Sequence, residues 1–181
     1  MNQGFTLIEL VVVISIVAIT VSLVLPRVWD MQRQARIGHL NYARGAVHSS
    51  ATLVHSALLV RNGMPDATPC VGGGVADNRL EGPGTVCTEQ GLVRTINGYP
   101  ASVNPGAPGA PGILGAAGIG TSFHATEAEL RAEGYAVSVA NGTTTISRAD
   151  APNPLQCGFS YIESLVARTA ASISQSVITG C

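Results

Sequence analysis

The chain has 181 residues, a formal net charge of −1 and 12% charged residues, and its 10 basic side chains are all arginine. Such neutrality argues against a nucleic-acid surface, because phosphate binding relies on clustered positive charge, so no specific nucleic-acid partner is expected. Aromatic residues make up 4% of the chain, too few to propose electron transport along stacked rings.

Met1-Asn2-Gln3-Gly4 is a short polar leader without Lys or Arg, and an apolar run follows from Phe5 to Leu25, stopping at Pro26. At about 1.5 Å per residue, a helix of about 21 residues spans a hydrocarbon core of about 30 Å. A cleaved secretory signal would be shorter and would end in a small-x-small site. Leu25-Pro26-Arg27 stands there instead, so the run is expected to stay on the mature protein. Glu9 is the charge inside the run, and a charge at the centre of a span costs about 2.5 to 3.5 kcal/mol on insertion scales. If the chain were cut after Gly4, Phe5 would gain a positive amine that Glu9 of a neighbouring copy could neutralise. The plainer alternative puts Glu9 near the headgroups, at the end of an ordinary anchor.

Gly4-Phe5-Thr6-Leu7-Ile8-Glu9-Leu10, followed by Val11-Val12-Val13-Ile14 and the helix-interrupting Pro26, resembles the class III signal of type IV pilins and related pseudopilins. The resemblance implies that a prepilin peptidase cuts after Gly4 and methylates Phe5. It also implies that Glu9 pairs with the N-terminus of an adjacent subunit during assembly. The leader departs from the family in lacking a basic residue, which weakens its topology signal.

Beyond Pro26 the pattern becomes amphipathic. Leu40, Ala43, Val47, Ala51, Val54 and Leu58 recur at spacings of three and four, one stripe of a helix, with Arg44, His48 and His55 on another face. One helix from about Phe5 to Leu59 is expected, its first half bare and its second half packed on a globular head. Pro26 leaves the carbonyl of Ser22 without its helical donor, so a kink or an unwound stretch is expected from Ser22 to Pro26. Arg27, Arg33 and Arg36 follow the apolar run and suit lipid headgroups, neighbouring subunits or simple solvation.

The remainder holds most of the glycine and proline and all four cysteines. Tyr135 to Ala140, then Asn141-Gly142, then Thr143 to Ser147 reads as a hairpin on a two-residue turn. Leu92 to Ile96, Gly158 to Ile162 and Ser172 to Ile178 are further candidate strands. Glu127 to Glu133 reads as a short helix, with Thr126 as its cap and Gly134 as its stop. Asn104 to Gly112 has a collagen-like look but is far too short for a triple helix, so an exposed loop is expected. Asn141-Gly142-Thr143 also fits a glycan acceptor sequence, although the tight turn accounts for it.

The expected fold is α+β. A long N-terminal helix, apolar in its first half and amphipathic in its second, packs on a small antiparallel β-sheet head with disulfide-bonded loops, as the type IV pilin resemblance implies. The expected division is 1–4 leader, 5–25 membrane and filament-core helix, 26–60 amphipathic helix and 61–181 head.

Cys70, Cys87, Cys157 and Cys181 form an even set in a segment expected outside the cytoplasm, where disulfides persist. Four cysteines allow three connectivities. Pairing nearest neighbours, Cys70 with Cys87 and Cys157 with Cys181, closes two short loops, each worth about 3 kcal/mol in the chain-entropy view. A zinc site is the rival, without Cys-x-x-Cys spacing or an adjacent histidine to support it. In the pilin family a disulfide near the C-terminus encloses the variable surface, and Cys157 and Cys181 are placed to do that. Thr179-Gly180-Cys181, with Val93-Arg94-Thr95-Ile96-Asn97-Gly98-Tyr99-Pro100, resembles more specifically the mannose-sensitive haemagglutinin type.

Catalytic chemistry finds little footing. His48 and His55 are about 10.5 Å apart along a helix axis, too far for one metal ion. His124 with Glu127 and Glu129 reads as surface, and neither a phosphate loop nor a nucleophile elbow is present. The expectation is a structural subunit, not an enzyme, with no cofactor and no metal. It would be held in the inner membrane with its head in the periplasm, served by a prepilin peptidase and the inner-membrane assembly machinery, and polymerised into an extracellular filament for adhesion or surface motility. The rivals are a pseudopilin of a type II secretion system, a minor tip pilin for adhesion or DNA uptake, and an anchored enzyme or binding protein.

Overall fold

The computed structural model describes residues 6–181. The chain divides into two compact units, Met1–Arg36 and Ile37–Cys181. The first unit is helical: α1 runs Leu7–Arg61, and its portion up to Arg36 belongs here. Phe5, the expected start of the helix, lies outside the described residues. The helix is continuous through Ser22 and Pro26. Proline deletes a single donor, and the helical ladder continues on both sides of it. The Ser22 hydroxyl donates back to the Ile19 carbonyl at 2.7 Å, a bond that itself requires helical backbone.

The second unit is built on the amphipathic part of α1. Leu40, Ala43, Val47, Ala51, Val54 and Leu58 are all buried, so the stripe read from the spacing is the helix's inner face. It serves two separate cores. Leu40, Ala43, Val47 and Ala51 pack with Ile113, Leu130, Ile146, Phe159 and Tyr161, whereas Val54 and Leu58 pack with Val86 and Val93.

Two antiparallel sheets supply the partners. The first orders β1 (Pro83–Thr88), β2 (Gly91–Ile96) and β3 (Tyr99–Pro100). The second orders β4 (Tyr135–Ala140), β5 (Thr143–Arg148), β6 (Gly158–Ile162) and β7 (Ser172–Ile173). Strand β1 opens on Pro83-Gly84, which reads as a turn. It is a strand because proline is tolerated at the first residue of an edge strand, and β1 is an edge. The strand expected from Ser172 to Ile178 is only two residues long, with an isolated bridge between Gly158 and Val177 beyond it. The ladder stops because the Ser174 hydroxyl accepts the Ser160 N–H at 2.9 Å, taking the donor that a longer strand would use.

Asn141-Gly142 forms the β4–β5 turn, both residues having positive φ, 49° and 70°. Helix α2 (Ile113–Ala116) follows the 104–112 loop, and α3 covers Glu127–Ala132. The start of α3 is a complete capping box: Thr126 accepts from the Glu129 N–H, and the Glu129 carboxylate accepts from the Thr126 N–H at 2.7 Å. That hydrogen bond holds the Glu129 carboxyl below the usual carboxylate range. The loop is pinned along its length, Gly106 N–H bonding Ala125 and the Pro111 carbonyl accepting from Arg94.

Cys70 is joined to Cys87 and Cys157 to Cys181, with Cα separations of 5.4 and 4.9 Å. The second bridge lies inside the larger core, where Cys157 and Cys181 are both buried.

Candidate functional site: the N-terminal helix face

Thr6 begins the site. Its hydroxyl accepts the Glu9 N–H at 3.3 Å and its carbonyl accepts the Leu10 N–H at 3.2 Å, so Thr6 caps α1 and Glu9 stands in the first turn. The spacing Thr-x-x-Glu is the signal that sequence reasoning passed over, since it reads as a capping box as readily as an assembly motif. A carboxylate there also complements the positive end of the helix dipole.

From Leu7 to Leu25 the large apolar side chains are exposed, Leu7 at 80%, Ile8 at 74% and Leu23 at 71%. This helix is long and apolar enough to cross a membrane, and none of that stretch is buried within the chain. The hydroxyls in it ask nothing of their surroundings. Ser15 donates to the Val11 carbonyl, Thr20 to Ile16 and Val17, and Ser22 to Ile19. Such internal satisfaction suits a medium that offers no hydrogen bonds. Among the described residues, Glu9 is the polar side chain of the stretch for which no hydrogen bond is seen.

The other candidates disperse. Gly4 and Phe5, the expected cleavage and methylation residues, lie outside the described residues. His55 stacks on Tyr99, ring centroids 4.2 Å apart, and its Nδ1 contacts the Gly98 carbonyl at 2.9 Å. His48 is exposed on α1, and the rings of His124 and Phe123 meet in a T-shaped contact, centroids 5.1 Å apart. Asp66, Cys70 and Cys87 bring ligand atoms within 4.8 Å of one another. The two sulfurs there are bonded to each other and offer no thiolate.

Sequence reasoning also passed over Asn78. It is fully buried with φ 52°; its amide donates to the Met64 carbonyl and to Asp66, both at 2.8 Å, and its carbonyl accepts from Arg61 at 3.1 Å. This hub fastens the end of α1 to the loop that carries Cys70.

Residues 1–25 match the family described as the prokaryotic N-terminal methylation motif. The chain carries a type IV pilin signal. Its long apolar helix followed by antiparallel sheets with disulfides matches an α+β pilin fold. Fimbrial protein EcpB of Eikenella corrodens is 38% identical over 78 residues, covering 43% of this chain and 46% of that protein. The match thus spans less than half of the relative's length. No solved structure matches. The pilin signal and the fimbrial relative point to a pilin-type subunit, a generally non-enzymatic class.

Proposed function

We propose that this chain is the major structural subunit of a type IV pilus, anchored in the inner membrane with its head in the periplasm and then polymerised into an extracellular filament. The observation that carries the reading is the Leu7–Leu25 surface, apolar and uncovered, with a single acid one turn inside the cap. In this reading Gly4 is the cleavage residue, Phe5 the methylated terminus and Glu9 the acid that meets the Phe5 amine of the next copy. Ser22 and Pro26 mark where the helix gives way on assembly. The working division is 1–4, 5–25, 26–60 and 61–181.

Assembly exchanges lipid contacts for helix contacts, so apolar burial alone supplies little direction. The Glu9 pair supplies register, because a subunit displaced by one position leaves two charges unpaired in an apolar setting. The filament would serve adhesion or surface motility. The mannose-sensitive haemagglutinin type is the particular form favoured by the strings around Tyr99 and Cys181.

The test compares Glu9→Ala with Glu9→Gln. Glutamine keeps the size and polarity of the side chain but not the charge, and the cap bond, which uses the backbone N–H of residue 9, is open to both variants. If Glu9 serves assembly, both variants insert and are cleaved yet yield few filaments in the sheared extracellular fraction. If the charge of Glu9 is not used in assembly, Glu9→Gln is piliated normally and the assembly role is lost. Intact mass of the same fraction separates the rivals: an abundant extracellular species beginning at methylated Phe5 belongs to a pilus, and a processed form confined to the membrane to a pseudopilin.

A further inference from the structure

Asn-Gly occurs at Asn62-Gly63, Asn97-Gly98 and Asn141-Gly142, and all three asparagines have left-handed backbone at φ 49°. Glycine has no Cβ to obstruct its backbone nitrogen, so in this pair that nitrogen can reach the asparagine side-chain carbonyl carbon. Attack forms a bond from the glycine nitrogen to Cγ, breaks the Cγ–Nδ2 bond and releases ammonia, leaving a five-membered succinimide. Water opens the ring at either carbonyl, giving aspartate or isoaspartate and one new negative charge. Water is the sole co-reactant.

The three sites share an attacking residue and a backbone conformation. Their side chains differ. Asn97 is clamped at both ends, its Oδ1 accepting from the Gly82 N–H at 2.8 Å and its Nδ2 donating to the Ser164 carbonyl at 2.7 Å. Asn62 and Asn141 are exposed, with no side-chain hydrogen bond among the described residues. We propose that Asn62 and Asn141 are sites of spontaneous deamidation, and that the Gly82–Asn97–Ser164 clamp spares the third.

The two conversions have different consequences. The Asn62 N–H bonds the Leu58 carbonyl at 2.9 Å, so a carboxylate at this position stands at the negative end of the α1 dipole, although beside Arg61. At Asn141 the next carbonyl, that of Gly142, accepts from the Glu163 N–H at 2.9 Å and from the Ser102 hydroxyl at 3.0 Å. Isoaspartate lengthens the backbone by one carbon ahead of the Gly142 nitrogen and so shifts that carbonyl and disturbs both bonds.

The test is peptide mapping by mass spectrometry of the full-length chain in detergent, aged at physiological temperature and mildly alkaline pH. A parallel sample is aged in concentrated urea. In the folded chain, peptides carrying Asn62 and Asn141 should gain about one dalton, while Asn97 converts at least about tenfold more slowly, because two hydrogen bonds must break together. In urea all three should convert at similar rates. Equal conversion of Asn97 in the folded chain overturns the clamp, and so does a slow Asn97 in urea, which would place the protection in local sequence. Intact Asn62 and Asn141 in the fold, alongside rapid conversion in urea, overturns the two sites.

Discussion

Tyr161, on β6, donates its buried hydroxyl to the Pro100 carbonyl on β3 at 2.6 Å, a side-chain bond that joins the two sheets. Its ring belongs to the larger core while its oxygen reaches the smaller sheet, so one residue serves both. Tyr161→Phe leaves a buried carbonyl without its donor and is expected to cost about 1 to 3 kcal/mol, read as a lower urea midpoint. An unchanged midpoint would mean that the sheets are held by other contacts.

The same residue sets an alkaline limit. Burial first, then Glu163 and Tyr99, push the Tyr161 phenol far above its ordinary range, and burial also raises Tyr135. With the folded value raised, the native state holds the proton more tightly than the unfolded chain. The associated stability is complete below the unfolded value of about 10 and is lost as pH rises beyond it. Urea midpoints at about pH 8 and about pH 11 should therefore diverge in the parent chain and diverge less in Tyr161→Phe, with Tyr135 supplying the residue of the effect.

Thr144 is fully buried and its hydroxyl has no partner among the described residues. Valine keeps the branched shape and removes an oxygen that lost its water for nothing. Thr144→Val should raise stability by about 1 kcal/mol in thermal or urea unfolding. A loss would show that the hydroxyl has a partner in solution, most simply a buried water.

The division of the helix stripe between two cores can be read separately. Leu40→Ala and Leu58→Ala should each cost about 2 to 5 kcal/mol. Hydrogen exchange should place the damage differently, in β4–β6 for Leu40 and in β1–β2 for Leu58. Identical exchange patterns would mean that the two cores unfold as one.

The bridges are expected to be unequal. Cys157–Cys181 closes a loop across 24 positions inside the main core, and serine at Cys181 adds a buried hydroxyl to the lost cross-link, so Cys181→Ser should cost at least about 3 kcal/mol. Cys70–Cys87 spans 17 positions, with Cys87 only half-buried, and its loss should loosen mainly the loop after α1, read by limited proteolysis.

The elements legible in the sequence were those whose signals are local. Leu40 to Leu58 repeats at helical spacing, Thr126 and Glu129 announce a helix start by their own side chains, and Asn141-Gly142 dictates a turn. What escaped depended on partners distant in the chain. Pro83-Gly84 looks like a turn until Leu92 to Ile96 is laid beside it. Nothing around Asn78 says that Arg61 and Asp66 will close on it. Ser174 looks like any strand serine, and its hydroxyl ends the strand it seemed to continue. At the site, Glu9 was visible because a charge in an apolar run is conspicuous. Thr6 was not, because capping is a relation between two residues and only one of them drew notice.

The hydroxyls of Ser15, Thr20 and Ser22 fold back on their own carbonyls, and this makes the helix surface indifferent to what surrounds it. A cylinder with no outward donors can turn or slide among acyl chains, or among copies of itself, without breaking a hydrogen bond. In the proposed filament, its transfer between the two would break no hydrogen bond along most of its length. If Glu9 pairs with a neighbouring copy as proposed, the polar work of placing such a helix falls on its first turn.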